Sequence, residues 1–425
     1  MSFIQTISQI SRDKDLRKKI LIILGILVIS RFFAALPIPG TDPETLKSFF
    51  AQNQYLGLVN IFSGGAMANF SIAMLGIGPY ITASIILQLL TMIFPAMKEM
   101  YYEQGELGRA KFVRYTRIMT VFLAFFQGFA FLNLLKKQGV VGTLDPFELF
   151  RNIILVTAGS IIFMWLGELI SEQKIGSGSS LIIFAGIITG LPTSLRNNIL
   201  TFDYSRVPSY LIFIALGLIT ILGVIYINES ERRVPINYAK RVRGMKVFGG
   251  QNTYLPLKVN QAGVIPIIFA ISLLLFPGLI GQILSLSKNA FLANVGAGLS
   301  GFLNNQLAYG ISYFIFVFAF TYFYTLITFD PKEISKNLQR QGGFVPGIRP
   351  GQNTADHLSK ILFRITFLGA MFLGVIAVLP LGVQAITGIS SLTLGGTSLL
   401  IVVSVALETM RQFRAQMVMR DYETF

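Results

Sequence analysis

The chain has 425 residues, 53% of them hydrophobic and only 13% charged, with 35 lysines and arginines against 20 acidic residues and a net charge of +15. A soluble globule of this length would lack polar cover for its surface, so the composition excludes that class and indicates an integral membrane protein. With no cysteine and a single histidine, a disulfide framework, a thiolate metal centre and a cysteine nucleophile are excluded as well.

The N-terminal stretch carries Arg12, Lys14, Arg17, Lys18 and Lys19 and runs into an apolar segment without a small-residue cleavage site. The first span is therefore expected to stay attached rather than be removed as a signal. Upstream, Phe3, Ile4, Ile7 and Ile10 repeat at the spacing of a short helix lying on the membrane surface. Ten apolar runs follow, near residues 19–36, 71–94, 115–135, 151–170, 179–192, 209–228, 261–284, 309–329, 361–380 and 391–410. A helix needs about 20 residues to cross a hydrocarbon core of about 30 Å. The fifth run is short, which implies either a start inside Ser177, Gly178 and Ser179 or a helix that ends below the far interface.

Most of the lysines and arginines fall in residues 1–20, 95–117, 171–180, 229–260, 330–364 and 411–425. These are alternate loops and both termini, the bias that marks the cytoplasmic side. The fold class is thus an all-α integral membrane protein with ten transmembrane helices and both termini in the cytoplasm. The excess positive charge can meet anionic membrane lipids or acidic partner surfaces. Each half carries five spans. If the halves are related repeats, an odd number of crossings inverts the second, giving residues 1–193 and 209–425 as inverted halves joined by an external hinge loop at 194–208.

Three stretches depart from simple helix and loop. Residues 57–70 are moderately apolar, too short to cross, and interrupted by Ser63, Gly64 and Gly65. They suit either a segment folded back into a cavity of the bundle or an outer helix packed over it. The cytoplasmic stretches at 229–260 and 330–358 are long and mix Arg232, Arg233, Lys240, Arg241, Arg243, Arg340 and Arg349 with Val234, Ile236, Tyr238, Phe344 and Ile348. Orientation alone needs the cations but not the apolar residues, so these stretches suggest a docking surface. Pro266 is expected to kink the seventh span, while the outer stretch at 285–308 offers no readable motif. The tail after the tenth span, Arg411 to Phe425, is brief.

Catalysis finds little support. His357 is at the cytoplasmic edge of the ninth span, Gly176-Ser-Gly-Ser-Ser180 reads as a tight turn without a partnered base, and no phosphate-binding loop of the Walker type is present. No catalytic residue, metal or cofactor is expected. A secondary transporter is the alternative from another class, but its midplane ionisable groups are scarce here, since Glu168, Glu408 and Arg31 lie toward span ends. A scaffold or insertase without a pore is disfavoured by the segment at 57–70.

Seven strings carry a resemblance to a known family. They are Phe62-Ser-Gly-Gly-Ala66, Gly78-Pro-Tyr-Ile-Thr-Ala-Ser-Ile-Ile-Leu-Gln-Leu-Leu90, Pro235-Ile-Asn-Tyr-Ala-Lys240, Leu255-Pro-Leu-Lys-Val-Asn260, Gly263-Val-Ile-Pro266, Phe344-Val-Pro-Gly-Ile-Arg-Pro-Gly351 and Gly395-Gly-Thr-Ser-Leu-Leu-Ile401. In order along the chain, they resemble the SecY family, the channel subunit of the bacterial Sec translocon. The resemblance implies ten spans in two inverted halves and a short re-entrant plug helix that includes Ile61, Phe62, Ser63, Gly64, Gly65, Ala66 and Met67. It implies passage of unfolded secretory polypeptides across the bacterial cell membrane. Apolar segments would leave through a lateral gate between spans two and three on one side and seven and eight on the other.

The family's pore ring corresponds to Ile81, Ile85, Ile183, Ile187, Ile268 and Ile401. Without the resemblance each would read as helix packing or lipid contact, and only the i, i+4 spacing of Ile81 with Ile85 and of Ile183 with Ile187 places pairs on one face. The implied partners are the SecE and SecG subunits, the SecA motor ATPase, the ribosome, and secretory and membrane protein clients. Arg349 matches the loop arginine tied to motor coupling.

Overall fold

The computed structural model describes residues 14–39, 60, 63, 65–67, 69–137, 139–141, 145–200, 207–238, 241–243, 246–248, 252–285, 289–387 and 390–423. A helix occupies each of the ten apolar runs. In chain order the elements are α1 (Lys14–Ala35), α2 (Gly78–Ile93), α3 (Pro95–Tyr102), α4 (Gly105–Lys137), α5 (Pro146–Glu172), α6 (Gly178–Leu200) and α7 (Val207–Glu229). Then come β1 (Glu231–Tyr238), β2 (Arg241–Arg243), β3 (Lys246–Phe248), β4 (Asn252–Lys258), α8 (Ile265–Leu284), α9 (Ala290–Asn304) and α10 (Gln306–Thr328). The chain closes with α11 (Pro331–Arg340), β5 (Gly343–Phe344), α12 (Gln352–Thr387) and α13 (Ser390–Glu423).

Helices dominate because hydrocarbon offers no partner to backbone N–H and C=O groups, so an apolar segment must satisfy them internally. Among the described residues, Gly105–Lys136, Pro146–Glu172, Tyr210–Glu229, Gln306–Arg340 and Gln352–Val383 are each long and apolar enough to cross a bilayer, and α2 with α3 forms a pair bent by 112°. Polar caps set several starts. Asp330 accepts from the backbone N–H of Lys332 at 2.8 Å to open α11, and Asn305 accepts from that of Leu307 at 3.1 Å to open α10.

Helices before residue 200 meet those after 207 along two seams, α6 against α13 and α8 against α2 and α4. The central apolar core follows these seams, and a second core packs Phe70 and Met74 against Leu132, Leu135 and Val156 on the α4–α5 hairpin. Arg117 joins the hairpin to itself through Glu168, 2.9 Å away. In lipid, helices associate by close packing rather than by escape from water, which favours small residues at contacts. Gly178 shows this: a Cβ there would lie 1.8 Å from the carbonyl oxygen of Gly167. On the outside, Leu211, Leu218, Leu222 and Tyr226 of α7 are exposed, as a lipid-facing surface requires.

Several expectations need correction. The molecule is mostly helical, but the stretches at 229–260 and 330–358 are not plain loops. β1 pairs antiparallel with β4 from Glu231↔Lys258 to Asn237↔Asn252, and β5 adds to β1 at Asn237↔Phe344, giving the order β4-β1-β5. The fifth run is longer than its hydropathy indicates. It starts at Gly178, inside the polar stretch, and stays helical through Pro192 to Leu200, so the first part of the 194–208 stretch is helix. Pro266 does not kink the seventh span, because it lies in the first turn of α8, where its missing N–H has no intrahelical partner to lose. The proline inside that helix is Pro277. The second run becomes helical only at Gly78, Ser71 bridging to Pro37 and residues 72–77 being turns; the stretch at 285–308 contains α9; and the tail continues α13 to Glu423. The surface helix expected around Phe3 to Ile10 lies outside the described residues.

Candidate functional site

Proline at the first turn of α2 and the turns before it set where that helix begins, and this in turn aims Ile81 and Ile85 inward. Both are buried, as are Ile183 and Ile187 on α6, Ile268 one turn into α8, and Ile401 on α13. All six belong to one apolar cluster, together with Ala66. Four helices, two from each side of residue 200, thus deliver isoleucine to the same core.

Of the segment expected to fold back, Ile61, Phe62 and Gly64 lie outside the described residues, while Ser63, Gly65, Ala66 and Met67 are described. Asn60 is helical, while Ser63, Gly65, Ala66 and Met67 lie in turns. The Ser63 hydroxyl donates to the Asn60 carbonyl at 2.9 Å and accepts from the Met67 N–H at 3.2 Å, and the Ser71 hydroxyl donates to the Ala66 carbonyl at 3.0 Å. Backbone bonds from Ile38 to Phe70 (2.8 Å) and from Ile72 to Leu36 (3.0 Å) tie it to the exit of α1. Gly76, at φ +53°, passes so close that a Cβ would meet Ser63 Cα at 3.4 Å. Ser63, Ala66, Met67 and Phe70 are all buried, which favours the fold-back alternative over an outer helix on the surface.

The strand pairing brings the two candidate docking stretches into one unit. Val234 and Ile236 alternate inward along β1, and Val234, Leu257, Val345 and Leu358 form a small core against which Ile348 packs. Of the apolar residues that suggested a docking surface, Val234 and Ile348 therefore help hold the sheet to α12, and Ile236 is buried as well. Cations remain outside. Arg232, Arg233, Arg340 and Arg349 are exposed, with Arg233 2.8 Å from Glu231. The Arg349 turn is pinned by its carbonyl, which accepts from the Thr354 hydroxyl at 2.9 Å, and by the Ser335 hydroxyl donating to the Gly351 carbonyl at 2.6 Å. Arg241 and Arg243 are on β2, which pairs with β3; their side chains and all of Lys240 lie outside the described residues.

A polar network beside this sheet is not foreseen by the sequence reading. The Asn260 amide donates to Asn228 Oδ1 at 2.8 Å and to the Gly263 carbonyl at 3.2 Å, and the Asn228 amide donates to Ser404 Oγ at 3.2 Å. Arg411 binds Glu229 at 2.8 Å and also donates to the Asn228 carbonyl. Gln412 accepts from the Gly176 N–H at 2.6 Å, joining α13 to the turn before α6. Partial burial, then the neighbouring Arg411, push the Lys258 ammonium below its ordinary pKa, with Glu229, Glu231 and Glu408 opposing. The available signal was the placement of Asn260 and Gly263 in two of the recognised strings.

The family model described as SecY matches residues 71–410. The chain belongs to the SecY family. Curated SecY relatives span it almost entirely. The protein translocase subunit SecY of Corynebacterium glutamicum is 42% identical over 98% of this chain and 98% of its own, and that of Thermotoga maritima is 41% identical over 97% and 95%. Among solved structures, one described as a protein conducting channel covers 94% of this chain and 92% of its own with TM-score 0.64 at 22% identity. Sec61 in the canine ribosome-channel complex from the endoplasmic reticulum covers the same shares with TM-score 0.58 at 21% identity. SecY membership gives no support to the secondary-transporter alternative, and it makes this an integral membrane protein with the SecY/Sec61 fold.

Proposed function

We propose that the chain is a protein-conducting channel through which unfolded secretory polypeptides cross the bacterial cell membrane, with both its termini in the cytoplasm. The observation that carries this reading is the convergence of Ile81, Ile85, Ile183, Ile187, Ile268 and Ile401 in one buried cluster drawn from both sides of residue 200. An apolar wall offers a moving chain no fixed hydrogen bond or ion pair, and when empty it resists wetting and limits ion leakage. Ala66 in the same cluster and the buried Ser63 and Met67 support a plug over residues 61–67. Residues 1–193 and 209–425 act as the two halves around it.

The seam between α8 and the pair α2 and α4 supports a lateral gate, completed by α10, through which apolar segments pass into lipid. Exposed Arg232, Arg233, Arg340 and Arg349, with Lys240, Arg241 and Arg243 nearby in sequence, form the docking face for SecA or the ribosome; a planar guanidinium suits carboxylate or phosphate. SecE and SecG complete the assembly. Covalent chemistry is assigned to the partner that hydrolyses nucleotide and not to this chain.

The absence of native cysteine makes the test direct. Ile183→Cys is reconstituted with SecE, SecG and SecA, and a secretory polypeptide with one cysteine is stalled in transit. The expected result is an ATP-dependent cross-link at Ile183→Cys and none at Leu218→Cys on the exposed face of α7. Intact transport with no cross-link from any of the six ring positions overturns the central pore.

A further inference from the structure

We propose that a groove between α3 and α11 binds one phospholipid whose headgroup carries both a phosphate and a primary ammonium. The 112° bend at the end of α2 turns α3 away from the span direction, and α11 follows the end of α10 directly. Both short helices therefore sit where the membrane spans stop, on the cytoplasmic side. Between them is a cavity of about 630 Å³, within the size range of specific small-molecule sites. One wall precedes residue 200 and the other follows 207, and the Tyr102 hydroxyl donates to the Ile327 carbonyl across them at 3.4 Å.

The lining changes character with depth. At the span ends it is formed by Met92 and Leu326, both exposed large hydrophobics continuous with the lipid-facing surfaces of α2 and α10. Farther out, Lys98 on α3 faces the groove with Lys332 and Lys336, which are one turn apart on α11, and Glu103 and Glu333 line it too. A third carboxylate, Asp330, is engaged in capping α11. Arg340, at the end of α11, lines the groove as well and also belongs to the docking face above. An apolar end joined to a mixed-sign end is the complement of a phospholipid, not of a soluble ion. The lysines suit its phosphate. A purely anionic headgroup would leave Glu103 and Glu333 facing negative charge, and a quaternary amine has no N–H to donate to them, whereas a primary ammonium has three.

The test is native mass spectrometry of the full chain in detergent, titrated separately with phosphatidylethanolamine, phosphatidylglycerol and phosphatidylcholine of matched acyl chains. The parent is expected to bind phosphatidylethanolamine most tightly. Lys332→Gln with Lys336→Gln should weaken it roughly 5-fold for each lysine removed, and Lys332→Arg with Lys336→Arg should restore it, which separates lost charge from lost fold. Glu103→Gln with Glu333→Gln should abolish the preference for phosphatidylethanolamine over phosphatidylglycerol. The proposal is overturned if phosphatidylglycerol outranks phosphatidylethanolamine on the parent, if the glutamine variants bind as the parent does, or if inorganic phosphate displaces the lipid.

Discussion

Asn260 shows how much one side chain can organise at the sheet-bearing end of the bundle. Its amide reaches Asn228 Oδ1 and the Gly263 carbonyl, and through Asn228 it reaches Ser404, so the end of α7, the entry to α8 and the middle of α13 share one buried network. In such surroundings an unmet polar atom costs more than the bond that satisfied it gained. Asn260→Ala strands Asn228 Oδ1 and is expected to cost about 2 kcal/mol, read as a lower unfolding midpoint in detergent. Asn228→Leu combined with Asn260→Leu should cost clearly less than the two single changes added together. Strict additivity would show that the pair does not act as a unit.

Among the elements, the β4-β1-β5 sheet is the one that changes the reading of its residues. Strand alternation turns Val234 and Ile236 inward, so part of the apolar content of these stretches serves cohesion while Arg232, Arg233, Arg340 and Arg349 stay exposed. Arg349 is held on a pinned turn with its side chain outside the small core. Arg349→Glu is expected to leave the unfolding midpoint at the parental value while stalling SecA-driven transport in reconstituted vesicles. Normal ATP-driven transport by that variant removes Arg349 from the coupling role. A lowered midpoint would instead place the residue among those that hold the sheet.

Across the whole molecule, the two seams differ in kind. The seam of α8 with α2 and α4 is centred on apolar packing, whereas the seam of α6 with α13 also has a directional bond from the Gly176 N–H, in the turn before α6, to Gln412. Apolar surfaces slide and separate without stranding a donor, while breaking the second contact leaves one. Opening is therefore expected at the first seam, with the second as the pivot. Gln412→Ala should raise amide hydrogen exchange at Gly176 by roughly 2- to 10-fold, the worth of one hydrogen bond. Unchanged exchange there would mean that the bond does not restrain the turn.

Hydropathy and charge alone determined the membrane class and the positions of the ten apolar runs, because these depend on segment length and on the cost of moving charge across lipid. Ser63 with its neighbouring glycines marked a segment that does not cross. The six isoleucines were assigned to a ring only through the family resemblance, Ile81, Ile85 and Ile401 lying inside its strings and Ile183, Ile187 and Ile268 outside them, since an isoleucine facing a pore and one facing lipid have the same hydropathy. Tertiary structure decided the rest. It made Pro266 harmless by placing it in a first turn, carried α6 through Pro192, and paired β5 with β1 across more than a hundred residues of chain. It also gathered Asn228 near the end of α7, Asn260 ahead of α8, and Ser404 and Arg411 of α13. Such contacts depend on where helices end and how they cross, which local periodicity does not encode.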